Sequence, residues 1–242
     1  MSKTFIIAEA ACTWLHGGLE AAYRSIKAAK DCGADAWKTQ WTSDPEAMAM
    51  RRGVDRDKYT RLGWSGDVLP KLKAECDRVG IRFLCTVFIE KDLPTIAKYV
   101  EFIKVSAFES EDRDFMRVVG VQSKPIIVSV RDGAKRLQPC LDVNYLYVVS
   151  EYPTPLEHLR LLKRREHDGL SDHTTSVLTG AVAVGAGARI IEKHVRLSDT
   201  PESDPDYGHS LIVSSPLDPR YSEADWGFKT YVDNIREAER ML

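Results

Sequence analysis

The sequence has no long apolar run, no excess of basic charge and no paired spacing among its cysteines. No apolar stretch approaches the roughly 20 residues that a membrane-spanning helix needs, and the N-terminus turns polar too soon for a secretory signal peptide. A formal net charge of -2 gives no reason to expect nucleic acid or an anionic membrane as a partner. Five dispersed cysteines are typical of reduced thiols, so we expect a cytoplasmic protein without a disulfide framework or zinc knuckle.

Short β-type segments alternate with helical patterns from one end of the chain to the other. Strands are predicted over residues 5–7, 36–41, 83–86, 102–106, 125–129, 145–149, 169–171 and 189–194. Helices are predicted over residues 19–32, 67–79, 93–99, 113–119, 133–141, 156–165 and 177–184, and from a capping box at Ser222 and Asp225 to residue 242. Two long loops, 42–66 and 196–221, are of a length that is usually functional in a compact domain.

Eight strand–helix units in 242 residues predict the α/β class, as a single (β/α)8 TIM barrel that occupies residues 1–242 as one domain. A doubly wound open sheet is the alternative. That fold normally has a glycine-rich turn after its first strand, whereas the first strand here is followed by Glu9-Ala10-Ala11-Cys12. The barrel is therefore the favoured interpretation.

Polar residues are concentrated at the carboxyl ends of the predicted strands, which is where a TIM barrel carries its active site. The two-residue period of a strand puts Lys38 with Gln40 on one face, and likewise Lys104 with Ser106. The other polar residues at these ends are Glu9, Glu109, Ser129, Ser171, Asp172, His173, Glu192 and His194.

Each of these residues has an ordinary explanation when it is taken alone. A lysine at a strand end is most often a solvated charge, a lone histidine is most often a structural residue, and Glu192 could simply orient a neighbour. Together, however, they would be costly to desolvate in one barrel mouth without a ligand. Lysines with hydroxyl groups suit a phosphate and a carboxylate, and two imidazoles suit a divalent metal such as Mn²⁺, Zn²⁺ or Fe²⁺.

Five segments of the chain, in this order, resemble the N-acetylneuraminate (sialic acid) synthase family. None is specific alone, but together they cover nearly the whole chain, and Pro205-Asp206 also resembles the family's Gly-Pro-Asp. The segments are Ile-Ala-Glu at 7–9, Gly-Ala-Asp-Ala-Trp-Lys-Thr-Gln at 33–40, Glu-Tyr-Pro-Thr-Pro at 151–155, Gly-Leu-Ser-Asp-His-Thr at 169–174 and Ile-Glu-Lys-His at 191–194.

The resemblance implies a transferase of carbohydrate biosynthesis that condenses phosphoenolpyruvate with an aldehyde acceptor, a sugar or a sugar-like molecule. The products would be a 2-keto acid with a new C–C bond, and phosphate. It further implies a divalent metal, Mn²⁺ first and Mg²⁺, Co²⁺, Zn²⁺ or Fe²⁺ as alternatives, and a homo-oligomer, usually a dimer. If the family's residue roles are carried over by position, the residues that hold phosphoenolpyruvate would be Lys38, Thr86, Lys104, Ser106, Ser129 and Ser171.

The same resemblance assigns the remaining site residues. His173 and His194 would hold the metal, and Glu9 or Glu109 would orient or deprotonate a water molecule, so that the catalytic residues are Glu9, Glu109 and His194. Gln40, Tyr152 and Asp206 would face the acceptor. His209, in the second long loop, could lie near the site.

The sequence departs from the family's pattern in several places. Ala107 stands at the position of a phosphate-contacting serine, so Ser106 or a backbone N–H would have to compensate, and Phe108 replaces a glycine. Arg131 is an added cation, which we count among the residues that face the acceptor. It or three arginines of the first long loop could recognise an anionic acceptor, although solvated loop charges are an equally good explanation of Arg51, Arg52 and Arg56. The family's C-terminal antifreeze-like domain has no counterpart in these residues.

Two other functions are compatible with the same residues. One is a metal-dependent aldolase or lyase that acts on a pyruvate-type substrate, although the paired Lys38 and Lys104 amid hydroxyls are more typical of anion binding than of a Schiff base. The other is a non-catalytic relative that binds phosphoenolpyruvate. Phosphate release from phosphoenolpyruvate separates the synthase from both.

Overall fold

Eight parallel strands lie side by side in sequence order, and the eighth also pairs with the first, which closes the sheet into a barrel. The computed structural model describes residues 3–54, 60, 63–64, 66–161 and 166–242. The predicted TIM barrel is confirmed, and a short ninth strand extends the sheet beside β8. The strands are β1 Phe5–Ala11, β2 Ala36–Gln40, β3 Arg82–Val87, β4 Ile103–Val105, β5 Ile126–Arg131, β6 Val143–Val148, β7 Gly169–Asp172, β8 Ile190–Arg196 and β9 Leu211–Ile212.

Seven α-helices lie in the described part of the chain. The structure confirms the predicted helices that became α1, α3, α5 and α6 to within two residues, and the capping box of Ser222 and Asp225 precedes α7. None of the described helices is long and apolar enough to cross a membrane. The helices are α1 Gly18–Asp31, α2 Pro45–Arg52, α3 Val68–Val79, α4 Leu93–Ile96, α5 Arg113–Gly120, α6 Thr179–Gly185 and α7 Gly227–Met241.

Two predicted helices are wrong where the structure describes them. Residues 133–141 form no helix, and this segment packs so closely on α5 that a β-carbon at Gly120 would lie 2.5 Å from the carbonyl oxygen of Pro139. Residues 156–158 form a 3-10 turn, Leu156–His158, and residues 159 and 160 have no helical structure. Leu159 and Leu161 both pack against the core, and that two-residue spacing belongs to an extended chain. Residues 162–165 lie outside the described residues.

Helix α2 lies in the first long loop, where no helix was predicted. The side chain of Asp44 accepts a hydrogen bond of 2.9 Å from the backbone N–H of Ala47, and Pro45 takes the first helical position. Both residues are strong start signals for a helix. As a result α2 carries Arg51 and Arg52 in its last turn, next to the mouth of the barrel.

The interior of the barrel changes from apolar to polar along the strands. Its middle layer is built by five buried aliphatic residues, Ile7, Ala36, Leu84, Ile127 and Leu146. On β7 the corresponding position is Gly169, where a β-carbon would lie 1.8 Å from the carbonyl oxygen of Ile190. Side chains two residues further along a strand point the same way. The next layer therefore contains Glu9, Lys38, Thr86, Ser129, Val148, Ser171 and Glu192.

Candidate active site

A cavity of about 440 Å³ opens at the carboxyl ends of the barrel strands. Its wall contains all but one of the residues that were predicted from the sequence. Glu109 is the exception: it is fully buried just behind the wall. The predicted residues that line the cavity are Glu9, Lys38, Gln40, Thr86, Lys104, Ser106, Ser129, Arg131, Tyr152, Ser171, His173, His194 and Asp206.

Two buried lysines converge on one buried carboxylate at the floor of the cavity. Lys38 Nζ lies 3.5 Å from Glu192 Oε2, and Lys104 Nζ lies 3.7 Å from Glu192 Oε1. Hydroxyl groups complete the set: Lys38 donates to Thr86 Oγ1 at 2.9 Å, Lys104 donates to Ser129 Oγ at 2.8 Å, and Ser171 donates to Glu192 at 3.0 Å. We call these six residues the lysine region: Lys38, Lys104, Glu192, Thr86, Ser129 and Ser171.

Burial and mutual attraction act in opposite directions on the charges of the lysine region. Burial lowers the pKa of Lys38 to about 8, against the attraction of Glu192, and burial also lowers the pKa of Lys104. Burial alone would raise the pKa of Glu192, but the two ammonium groups outweigh it and hold that pKa below its usual value. The region is therefore an anion site in which a protein carboxylate lies between the two cations.

Glu9 borders the lysine region at the end of β1. Its carboxylate forms an ion pair with Lys38 and accepts a hydrogen bond of 2.5 Å from the backbone N–H of Ala11. The register of β1 against β2 shifts between Glu9 and Ala11, and Ala11 has a φ of 46°. This irregularity lets the backbone N–H turn back to the carboxylate, so that Glu9 is held rigidly at the cavity wall.

Three histidines and an aspartate line the cavity beyond Ser171 and Glu192, at the carboxyl ends of β7 and β8 and in the second long loop. The ring centroids of His173 and His194 are 5.1 Å apart, and those of His194 and His209 are 4.6 Å apart. Asp206 Oδ1 lies 3.1 Å from His209 Nε2 and 3.8 Å from His194 Nδ1. Tyr152 stacks on His173 with a centroid distance of 4.2 Å. We call His173, His194, His209 and Asp206 the imidazole region.

Burial keeps two of these imidazoles neutral. It lowers the pKa of His173 to about 4, against a hydrogen bond of 2.9 Å between His173 Nδ1 and the carbonyl oxygen of Val149. That bond leaves Nε2 as the nitrogen of His173 with a lone pair. Burial also lowers the pKa of His194 well below its ordinary value, and the neighbouring His209 adds to this effect. Neutral imidazole is the form that binds metal ions.

The polar atoms of the imidazole region suit a divalent cation. Both His194 Nδ1 and His209 Nε2 are buried nitrogens without a hydrogen-bond partner in the described structure. One ligand atom from each of His194, Asp206 and His209 lies within 4.8 Å of the others, and Cys12, Asp204 and Asp206 form a second such group. Nitrogen and carboxylate ligands of this kind suit Mn²⁺, Fe²⁺, Co²⁺ or Zn²⁺.

Helix α2 supplies an arginine to the mouth of the cavity. Arg52 contacts both carboxylate oxygens of Glu109 at 2.8 Å and also donates to Ser106 Oγ at 3.1 Å. Its guanidinium lies 5.0 Å from the ring centroid of Phe88 and 5.2 Å from that of Phe108. Ser106 also donates to Glu109, so its hydroxyl is engaged on this side of the cavity.

The other added arginines are placed differently. Arg131 lines the cavity but forms a largely exposed pair with Glu111 at 2.7 Å, and Arg51 pairs with Asp112 at 2.6 Å. Arg56 lies outside the described residues. Of the three of these arginines that the structure describes, Arg52 is the one that pairs with a buried carboxylate at the site.

A second polar network lies behind the cavity wall, on the outer faces of β7 and β8. Asp172 and Lys193 are fully buried and form an ion pair of 3.2 Å. Tyr231 of α7 donates to Asp172 at 2.8 Å, and Thr179 of α6 donates to the same carboxylate. The neighbouring residues along these two strands, His173 and His194, face the cavity, as the two-residue period predicts.

Four residues that line the cavity received no role, or only a minor one, in the prediction from the sequence. Glu192 was seen on the correct face but only as a possible orienting group, and Arg52 was one of several loop cations. The proximity of His209 to the site is confirmed, and Cys12, which lines the cavity beside Asp206, was treated as core. The Asp44-Pro45 start signal could have identified α2 and so the placement of Arg52, whereas no local pattern indicates the approach of His209 or Cys12.

Comparison with known proteins decides the family. The model of the NeuB family matches residues 25–241 of this chain. The chain belongs to the NeuB family. It is 31% identical over 275 residues to the pseudaminic acid synthase of Campylobacter jejuni, covering 99% of this chain and 75% of that protein. It is 26% identical over 229 residues to human N-acetylneuraminate-9-phosphate synthase, covering 81% and 63%.

Solved structures agree with this assignment at the level of the fold. The N-acetylneuraminic acid synthetase of Leptospira borgpetersenii, in complex with citrate, superposes with a TM-score of 0.81 over 99% of this chain and 85% of that one, at 22% identity. Membership of the NeuB family makes this chain an enzyme, a transferase of the phosphoenolpyruvate-condensing type found in sialic acid synthases.

Proposed function

We propose that this NeuB-family enzyme condenses phosphoenolpyruvate with the aldehyde group of a sugar or sugar-like acceptor. The reaction forms a C–C bond and a 2-keto acid and releases phosphate. The lysine region carries the proposal: strands β2, β3, β4, β5, β7 and β8 bring two buried ammonium groups and three hydroxyls to one face of the cavity. A doubly anionic small molecule is the ligand that such a set suits best.

In this proposal Lys38 and Lys104 neutralise the phosphate and carboxylate of phosphoenolpyruvate, and the hydroxyls of Thr86, Ser129 and Ser171 donate to its oxygens. Glu192 attracts both ammonium groups and so favours their charged forms despite burial. Because the substrate competes with Glu192 for the same cations, binding exchanges one anion partner for another. Each lysine therefore has an anionic partner both before and after the substrate binds.

The bond changes balance with water as the one further reactant. Carbon 3 of phosphoenolpyruvate attacks the carbonyl carbon of the acceptor, whose oxygen takes up a proton to become a hydroxyl, and the cationic centre left at carbon 2 takes up water. The water loses its proton to a carboxylate, and the tetrahedral intermediate expels phosphate by cleavage of its C–O bond. Glu9 is the better-placed carboxylate because it lines the cavity, whereas Glu109 lies behind the wall with Arg52.

A divalent cation, Mn²⁺ by preference, would be held in the imidazole region by His194 together with His173 or with Asp206 and His209. When bound there, it supplies the Lewis acidity that polarises the aldehyde oxygen of the acceptor. The acceptor itself lies between the imidazole region and Arg52, where Gln40, Tyr152 and Arg131 also line the cavity.

A phosphate-release screen tests this function. Purified enzyme receives phosphoenolpyruvate, Mn²⁺ and one of a set of aldehydes that includes N-acetylmannosamine and phosphorylated short aldoses. We expect release of phosphate in equal amount to a 2-keto acid product with at least one of them. A product formed from pyruvate without phosphate release would instead show an aldolase. Binding of phosphoenolpyruvate without phosphate release from any aldehyde would show a non-catalytic relative.

We also propose that the enzyme is a homo-oligomer. Leu156, Leu178 and Val182 are each at least half exposed and lie around one apolar groove beside α6. Such a patch is typical of a surface that a partner covers. Sedimentation velocity of the wild type and of Val182→Glu tests it, with a shift towards monomer expected for the variant.

A further inference from the structure

We propose that Thr39 is a positioning residue for Glu9, through a chain of hydrogen bonds that runs behind the cavity wall. The inference rests on the proposed function for the role of Glu9 as the carboxylate that takes a proton from water. Thr39 is fully buried on β2 between Lys38 and Gln40, and unlike these two neighbours it does not line the cavity. Neither the sequence prediction nor the resemblance to the family gives Thr39 a role.

The chain of hydrogen bonds starts at the end of β1, where the strand is irregular. Glu9 pairs with Lys38 and Ala11 pairs with Thr39, so that β1 advances by two residues where β2 advances by one. Ala11 has a φ of 46°, in the left-handed region that a residue with a β-carbon rarely adopts. Such conformations cluster at functional sites and persist only where neighbouring groups hold them. The conformation of Ala11 therefore depends on its hydrogen-bond partners.

The positive φ of Ala11 directs its backbone N–H towards Glu9, because φ sets the direction of a residue's N–H relative to its own carbonyl group. The N–H of Ala11 donates to Glu9 Oε1 at 2.5 Å, and the carbonyl oxygen of Ala11 accepts from the hydroxyl of Thr39 at 2.8 Å. The carbonyl oxygen of Ala10, in the same peptide group as that N–H, accepts from the side chain of Thr13 at 2.8 Å. With both carbonyl groups fixed, the N–H stays on the carboxylate.

A tryptophan in turn orients the hydroxyl of Thr39. Trp14 is 2% exposed, and its Nε1 donates to Thr39 Oγ1 at 3.0 Å. A threonine hydroxyl has one proton and rotates to suit its surroundings. Since the indole occupies a lone pair of the oxygen, the proton is left for a carbonyl group, and Ala11 at 2.8 Å is closer than Gln40 at 3.5 Å. Trp14 thus favours the rotamer in which Thr39 donates to Ala11.

The position of Glu9 matters because a general base must lie within hydrogen-bonding distance of the proton that it removes. The other carboxylate oxygen of Glu9 pairs with Lys38, which in the proposed function also contacts the substrate. When the substrate attracts Lys38, the N–H of Ala11 remains to hold Glu9 in place. We therefore expect the contacts of Thr39 to affect kcat and to leave substrate affinity nearly unchanged.

Thr39→Val tests the inference, because it removes the hydroxyl and keeps the branched side chain. We expect kcat for phosphate release to fall by about tenfold to a hundredfold, since a displacement of about 1 Å can cost about a hundredfold in rate. The affinity for phosphoenolpyruvate, measured by calorimetry, should stay within about threefold. So should the affinity for Mn²⁺, followed by the electron paramagnetic resonance signal of the free ion. Thr39→Ser keeps the hydroxyl and should return kcat to within about threefold of the wild type.

Ser25→Ala is the matched control. Ser25 is also buried, and its hydroxyl also accepts from a tryptophan, Trp37 Nε1 at 3.0 Å, but it lies on α1, outside the chain of hydrogen bonds that leads to Glu9. Thermal unfolding should show both variants to be destabilised, whereas only Thr39→Val should lose kcat. Equal losses of kcat in the two variants, or a wild-type kcat in folded Thr39→Val, would overturn the inference. If Thr39→Val does not fold, Thr39→Ala is judged by the same criteria.

Hydrogen exchange at the amide of Ala11, measured by NMR, separates this inference from the proposed function. Thr39→Val should speed this exchange by about tenfold or more, because the hydrogen bond to Glu9 opens more often. Unchanged protection of the Ala11 amide would show that Thr39 does not hold this contact and would end the inference. If exchange is faster but the wild type releases no phosphate with any aldehyde, the proposed function fails and the hold of Thr39 on Glu9 stands.

Discussion

The lysine region and the imidazole region share one cavity but are satisfied to different degrees. In the lysine region both ammonium groups already have hydroxyl and carboxylate partners, supplied by residues on regular strands. In the imidazole region His194 and His209 each present a buried nitrogen without a hydrogen-bond partner, and two of its four members come from a loop. The cations of the first region therefore all have partners within the protein, whereas the second region keeps buried ring nitrogens that have none in the described structure.

The largest effect is expected when one of the two cations of the lysine region is removed. Lys104→Met leaves Glu192 with one cation, and loss of one partner of a buried, hydrogen-bonded charge pair typically costs about 2–5 kcal/mol. We expect the affinity for phosphoenolpyruvate, measured by calorimetry, to fall by about a hundredfold or more. Lys193→Met is the matched control, because Lys193 is equally buried and ion-paired but lies behind the wall. Equal loss of affinity in both variants would refute a direct role for Lys104.

The next effect is a pH dependence of the same region. The pKa of Lys38 lies at about 8, because burial outweighs the attraction of Glu192. Below that pH the ammonium form binds an anion, and above it the neutral amine does not. The affinity for phosphoenolpyruvate should therefore fall as pH rises through 8, by up to about tenfold per pH unit.

Ionisation of the substrate cannot cause this loss of affinity, because a phosphate monoester has already lost its second proton above about pH 7. The group that titrates near pH 8 is therefore on the protein. Lys38→Arg keeps a permanent cation at the same position. If that variant folds and binds, its affinity should be flat over the range in which the wild type loses affinity. A wild-type profile that is flat from about pH 7 to pH 9 would show that Lys38 does not titrate there, or does not touch the substrate.

A smaller effect is expected between the two regions, at Arg52. Arg52→Gln removes a cation from the acceptor side, and a hydrogen bond to a charged group contributes about 1.5–3 kcal/mol. We expect the acceptor KM to rise by about tenfold or more and the affinity for phosphoenolpyruvate to stay within about twofold. Arg51→Gln is the control, since Arg51 lies on the same helix but pairs with the half-exposed Asp112. An unchanged acceptor KM in Arg52→Gln would leave this arginine as a structural partner of Glu109.

The smallest effect concerns the support of the imidazole region. Cys12→Ala removes the thiol that contacts Asp206 at 3.6 Å, but a thiol is a weak donor and Asp206 keeps its other contacts. Mn²⁺ affinity should fall by no more than about tenfold. Cys140→Ala, remote from the cavity, should have no effect. A loss of Mn²⁺ affinity of more than about a hundredfold would instead make Cys12 a ligand.

The strand residues of the site could be predicted from periodicity, whereas in the two long loops only Asp206 received a role, through the resemblance to the family's Gly-Pro-Asp. Lys38, Lys104, Ser171 and Glu192 follow from a two-residue period counted from recognisable apolar strands. His209 and Arg52 reach the cavity through a 3-10 turn and through a helix within a long loop. Their direction is set by tertiary pairing of β9 with β8 and by a cap at Asp44, which no periodicity encodes. The predicted helix over 133–141 failed for a similar reason, since packing on α5 overrode local preference.

The buried pair behind β7 and β8 has a consequence for how this enzyme can vary. Asp172 and Lys193 each precede a histidine of the cavity in the chain, and Tyr231 of α7 donates a hydrogen bond to Asp172. The angle at which both imidazoles enter the barrel is therefore fixed from outside it, across a wall one strand thick. Loss of the Tyr231 hydroxyl would therefore act on the site through Asp172 and the adjacent His173, although Tyr231 does not line the cavity.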